Sequence, residues 1–206
     1  VDYGNVRGMP PQFNTGVFSA QVGKHGLQLR GDPNIYIVGL ADGVILDRDR
    51  LGTTGRALYQ ADFFVPEPGK PMPSLAVLAM VPIRPGFTEP DVFYRFGMAH
   101  NKYLYFSVVA RDEATARVYL HDPEMMTKLP RPAWHRFAIV FEGADNIRCY
   151  VDGREPKFSP IKEPTMRRLQ VGIMLAEKES TYLCYADNLS IQWTPENAPI
   201  PVSPYT

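Results

Sequence analysis

The chain alternates. In HRFAIVF, His135, Phe137, Ile139 and Phe141 recur at every second position, with Arg136, Ala138 and Val140 between them; Trp134 precedes the run. In IRCYVD, Ile147, Cys149 and Val151 alternate with Arg148 and Tyr150. A period of two sends one set to a core and the other outward, so both segments predict strands. Strand-like runs recur at HGLQLRG, NIYIVGL, RALYQADFFV, VFYRFGMA, KYLYFSVVA, ARVYLHD, LQVGIMLA and YLCYADNLSIQW, with a further candidate at GVFSAQV. SLAVLAMVPI is apolar almost throughout. It is too short for a membrane span and reads as a strand covered on both faces.

Turn chemistry separates these runs. Asp152-Gly153 supplies the positive φ of a tight turn, and the short HN link suits a hairpin between VFYRFGMA and KYLYFSVVA. EGADN and AEKES read as hairpin loops, ADGVILDRDRLGTTG as a loop dense in Asp, Arg and Gly, and DPEMMTKL as one helical turn. Roughly ten to twelve strands at this spacing predict an all-β, antiparallel β-sandwich. One domain is expected over 1–195, followed by a Pro-rich, exposed, extended tail over 196–206.

Composition narrows the function. Lys plus Arg equals Asp plus Glu, 22 each. Zero net charge argues against a nucleic-acid partner, which favours a basic surface. The start, VDYGNVRGMPP, lacks a basic-then-apolar leader. The cysteines, Cys149 and Cys184, form no CxxC or Cys/His cluster, so zinc is not expected. Both lie in strand-like runs, either as buried thiols or as a disulfide between neighbouring strands.

The run from Trp134 to Gly153, with its W-H opening, alternation and Y-V-D-G close, resembles concanavalin A-like lectin/glucanase domains, including laminin-G-like modules. YADNLSIQW looks like the closing strand of that superfamily, and the resemblance extends over about sixty residues, Trp134 to Trp193. It implies a jelly roll of two curved antiparallel sheets that often binds carbohydrate on the concave face. The fold hosts lectins, hydrolases, lyases and adhesion domains alike.

Similar glucanases carry E-x-D-x-(x)-E. Here Glu89 and Asp91 have no second Glu after them, and Pro90 suits a strand's entrance better than its middle. No G-x-S-x-G elbow accompanies His25, His100, His121 or His135. His135 alternates with core residues and reads as a buried, hydrogen-bonded histidine. No catalytic residue is assigned. Asp42, Asp47 and Asp49 form the candidate metal site, a structural calcium ion, although Arg48 and Arg50 interleave and the spacing departs from the EF-hand. No other cofactor is expected. Asp187-Asn188 reads as a bulge or turn in the last strand.

In the middle of the chain, Val92, Tyr94, Phe96, Met98, Leu104, Phe106, Val108, Ala116, Val118 and Leu120 make the apolar faces of three successive runs. If those strands pair in order, Arg95, Tyr103, Tyr105, Arg117, Tyr119 and His121 gather on the opposite face. Tyrosine rings are flat platforms with polar tips, and arginine forks suit carboxylate or sulfate. That patch is the candidate ligand site for a glycan, including an acidic sugar; ordinary cross-strand pairing on a solvated face is the plainer account. The leading expectation is a non-catalytic carbohydrate-binding, lectin-like module of a secreted or surface protein, located outside the cell, in a periplasm or on a cell surface. The alternatives are a structural or adhesion domain that meets another protein, and a glycan-active hydrolase or lyase.

Overall fold

A computed structural model describes residues 27–30, 35–39, 45–50, 55–72, 74–82, 91–110, 117–120, 122–176 and 183–205. The candidate strand at GVFSAQV, the AEKES loop from position 177 on, and Asp42, Glu89 and His121 lie outside these residues. The described strands are β1 (Leu27–Arg30), β2 (Ile35–Gly39), β3 (Ile45–Asp47), β4 (Arg56–Val65), β5 (Ser74–Met80), β6 (Val92–Ala99) and β7 (Tyr103–Ala110). They continue with β8 (Arg117–Leu120), β9 (Ala133–Glu142), β10 (Asn146–Val151), β11 (Ile161–Lys162), β12 (Arg168–Ala176) and β13 (Leu183–Thr194). One sheet runs β1-β13-β4-β9-β10-β11; the other runs β2-β12-β5-β6-β7-β8, with β3 also on β12. All pairings are antiparallel, giving the β-sandwich that the alternation predicts.

The core lies between the sheets. Tyr59, Phe63, Phe137, Ile139 and Phe141 from the first sheet meet Leu75, Val77, Tyr94, Phe96 and Phe106 from the second. Edge-to-face ring pairs such as Tyr94–Phe141, at 5.1 Å, lock the layers. β5 is buried at every position, as its continuous apolar run requires. The β6–β7 hairpin turns through His100 and Asn101, both at positive φ, and Asp152-Gly153 turns between Val151 and Arg154, which exchange backbone hydrogen bonds. The helical turn is α1 (Pro123–Lys128), capped by the Asp122 carboxylate on the Met125 N–H, 2.9 Å.

Two features differ from the sequence reading, and a third decides between its alternatives. First, the loop around Asp47 contains β3 and a 3₁₀ turn over Arg48–Arg50. Three residues are too few for alternation to register, and pairing with β12 decides the matter.

Second, part of the outward face of the first sheet is buried rather than solvated. Leu58, Ala138 and Val140 are fully buried, and Tyr150 nearly so. The tail over 196–205 covers them rather than standing free: Ile200 packs on that group, the Trp134 and Tyr205 rings lie 5.0 Å apart, and the Ala198 carbonyl accepts from Arg56. Prolines keep the segment out of regular structure, but that does not prevent docking on apolar surface.

Third, Cys149 is free and buried, and burial pushes its thiol pKa well up. The order β13-β4-β9-β10 sets the Cys184 backbone three strand spacings away. That is about 14 Å, beyond what a disulfide spans. The alternative of a bond between neighbouring strands therefore fails.

Candidate functional site

Register brings several stretches to one end of the sandwich. β3 pairs with β12 so that Asp47 opposes Arg168, and the Arg48 N–H donates to the Arg167 carbonyl at 2.9 Å. β4 lies between β13 and β9, so Ala57 opposes both Trp193 and Phe141. Gly55, just before β4, and Gly143, in the turn after β9, complete this end.

Trp193 reaches the inner side because β13 carries a bulge. The register advances from Asp187↔Asp62 to Ser190↔Gln60, three residues against two, with Asn188 at φ 51°. One extra residue reverses the parity of a strand. Ala186 before the bulge and Trp193 after it therefore both pack with the core. The bulge is pinned: Asn188 Nδ2 donates to Asp62 Oδ2 at 2.6 Å, and the Tyr205 hydroxyl donates to Asp187 Oδ2. The expectation that Asp187-Asn188 makes a bulge is met.

Arg48 is 3% exposed. Its Nη2 donates to the Gly143 carbonyl at 3.1 Å and to Thr165 Oγ1 at 2.6 Å, and its guanidinium carbon lies 5.3 Å from the Phe141 ring centroid. Nε and Nη1 are buried and have no hydrogen-bond partner among the described residues. Burial, and next to it the Arg167 guanidinium, push the Arg48 pKa below the ordinary arginine value. Arg167 Nη1 donates to the Gly143 carbonyl at 3.3 Å, and Arg167 Nε stands 3.6 Å from the Asp49 carboxylate.

Arg48, Asp49, Gly143 and Arg167 line a hollow of about 180 Å³, whose other described walls are Gly55, Phe141 and Trp193. A second, more open hollow of about 420 Å³ shares Gly55 and Trp193 and is bounded by Pro195, Glu196 and Asn197. Gly55, at φ 113°, is what lets the indole lie here: a Cβ on it would sit 2.8 Å from Trp193 Cε2 and Cζ2. The half-buried Trp193 thus borders both hollows.

The residues expected to form a ligand patch do not all meet. Arg95, Tyr103 and Tyr105 share the outer face of the second sheet. Tyr103 is 45% exposed, but Tyr105 is 7% exposed, and burial pushes its hydroxyl up to about 12. Arg95 stacks over the Phe93 and Tyr105 rings at 6.0 and 5.5 Å and donates to the Ser107 hydroxyl. β8 pairs with Phe106 opposite Tyr119 and Val108 opposite Arg117. Positions 117 and 119 therefore fall on the face of Phe106 and Val108, away from Tyr105; the alternation within β8 does not fix its register against β7.

Of the candidate metal ligands, Asp47 Oδ1 accepts from the Asp49 N–H at 3.1 Å, and Asp49 faces Arg167. Among the described residues no group of three His, Cys, Asp or Glu side chains stands together as a metal site. His135 is buried as expected, with its ring nitrogens 2.5 Å from Asp152 Oδ2 and 2.8 Å from the Pro130 carbonyl. No described helix is long and apolar enough to cross a membrane.

Sequence reasoning missed Arg48 and Trp193. Arg48 looked like a charge neutralising its aspartate neighbours, and Trp193 entered only as the end of the closing strand. The Asp-Asn pair before Trp193 was the available signal, since a bulge there moves every later side chain to the other face.

No known protein-family profile matches the chain, and no curated protein matches its sequence. Solved structures do share its fold. The receptor binding domain of the botulinum neurotoxin mosaic serotype C/D, with tetraethylene glycol on its Hcn sub-domain, is similar at TM-score 0.52 and 9% identity, over 87% of this chain and 41% of that one. A second structure of the botulinum neurotoxin C/D mosaic domain gives 0.50 and 8%, over 87% and 42%. The metal-free lectin I-B4 from Griffonia simplicifolia gives 0.47 and 13%, over 84% and 89%. The chain thus spans less than half the length of the toxin domains, and at these identities the likeness is one of fold.

Proposed function

We propose that this chain is a non-catalytic carbohydrate-binding module that holds a sugar on the Trp193 indole. The observation that carries the reading is the pair of hollows meeting at that ring, one of them about 420 Å³ and so within the roughly 300–1,000 Å³ typical of small-molecule sites. Sugars present C–H faces that pack on an aromatic plane and hydroxyls that need directional partners at the rim. Asn197 and Glu196 supply donors and acceptors there. The fold likeness to domains named for receptor binding supports a binding role by analogy only. A secreted or surface setting follows from the same reading.

The outer-face group of Arg95, Tyr103 and Tyr105 is the rival location for the sugar. Its exposed ring is Tyr103, while Arg95 is already held by Ser107, Phe93 and Tyr105. A glycan array probed with the wild type, Trp193→Ala and Tyr103→Ala separates the two. Loss of binding in Trp193→Ala alone supports the end site, and loss in Tyr103→Ala alone moves the site to the sheet face. An array with no bound sugar for the wild type rejects the reading in favour of a protein-binding domain.

A further inference from the structure

We propose that the Arg48–Arg167 hollow takes the anionic substituent, a carboxylate or a sulfate ester, of a sugar whose ring lies on Trp193. The inference rests on the glycan-binding reading above and names its ligand class. Its basis is the state of Arg48. An arginine that is only 3% exposed is costly unless its charge and all its donors are matched. Here one nitrogen is matched, by two neutral oxygens, and two others are not, among the described residues.

The charge around it is also uneven. Among the described residues, two arginines and one aspartate line the hollow. The aspartate, Asp49, is 69% exposed in its side chain and stands off Arg167 at 3.6 Å, longer than a charge-assisted hydrogen bond. The hollow therefore keeps a net positive field beside the apolar walls of Phe141 and Trp193, which weaken solvent screening.

The arrangement is also built in advance. Gly143 and Thr165 fix the Arg48 fork from one side, and Thr165 is itself held by its hydroxyl on the Ala144 carbonyl at 2.8 Å. Little ordering remains for a ligand to impose on Arg48. Arg167, with 45% of its side chain exposed, can leave Asp49 and close on an incoming anion. Planar oxyanions match such forks. A neutral sugar offers nothing that offsets the buried charge.

The test is titration calorimetry with matched pairs: an oligogalacturonate against its methyl ester, and a sulfated cello-oligosaccharide against its parent. The expected result is binding of at least one anionic member about 10- to 100-fold tighter than its neutral partner, the range of a charge-assisted contact, with the preference fading as salt rises. Which pair shows the preference tells carboxylate from sulfate. Arg167→Gln, at an exposed position, is expected to erase the preference, read as the ratio of anionic to neutral affinity. Arg48→Met is expected to do the same, with thermal unfolding as its control. Asp49→Asn is expected to raise the ratio of anionic to neutral affinity several-fold. Equal affinity within both pairs, or a preference that survives Arg167→Gln, overturns the inference and leaves the glycan reading standing. Failure of every saccharide to bind overturns both.

Discussion

The Asp62 carboxylate and the Arg136 guanidinium stand opposite each other on β4 and β9 and are joined by two parallel hydrogen bonds of 2.7 and 2.9 Å. Asp62 is fully buried and Arg136 nearly so. Removing one partner strands the other as an unpaired buried charge. Asp62→Ala or Arg136→Ala is therefore expected to cost about 3–5 kcal/mol, whereas replacing both with leucine costs far less than the sum. Urea denaturation of the singles and the double checks this; additive losses would show that the two do not act as a pair.

The tail over 196–205 is part of the fold's cover. It hides Leu58, Ala138 and Val140 and meets Trp134 and Asp187 through Tyr205. Deleting residues 196–206 is expected to destabilise the domain by roughly 2–4 kcal/mol, the scale of one or two large side chains losing their burial. The truncated chain is also expected to bind an apolar dye. An unchanged unfolding midpoint would show that the tail merely rests on the surface.

Gly55 supports Trp193 by having no side chain. Its φ of 113° is strained for any other residue, and an added methyl would press on the indole at 2.8 Å. Gly55→Ala is expected to lower stability by about 1–3 kcal/mol and to shift the Trp193 emission. A stable variant with unaltered emission would show that the two do not touch in solution.

Alkaline pH acts through buried phenols. Burial raises the Tyr105 hydroxyl to about 12, with Arg95 pulling the other way, and burial and then the Asp187 carboxylate raise Tyr205 to about 12. Both folded values exceed the ordinary value of 10.0. Below pH 10 both states keep their protons and stability is full; between pH 10 and 12 the unfolded chain ionises first and stability falls. For Tyr105 the loss is roughly 2–3 kcal/mol, two units at about 1.4 each. Chemical denaturation at pH 9 and 11.5 measures it, and Tyr105→Phe should flatten the slope. Stability that holds or rises over that range would contradict the burial.

The sandwich was readable because alternation in β4, β6, β7 and β9 is long enough to set two faces. The β6–β7 hairpin was readable because His100-Asn101 carries its own turn chemistry. The patch was not, because the register of β8 is fixed by partners and not by its own four residues. Burial on the outer face of the first sheet was missed for a similar reason: Leu58 and Val140 face a segment more than fifty residues away in sequence. The end site was hidden behind one inserted residue at Asn188, which moves Trp193 across the strand without changing its local pattern.

The central claim is that sugar contacts Trp193. The chain holds two tryptophans, so an amide-proton NMR spectrum shows two indole signals, and Trp134 lies beneath Tyr205 as an internal reference. Titration with an oligosaccharide that binds is expected to move the Trp193 indole signal and leave that of Trp134 in place. Saturable binding with the Trp193 signal unmoved would contradict the account.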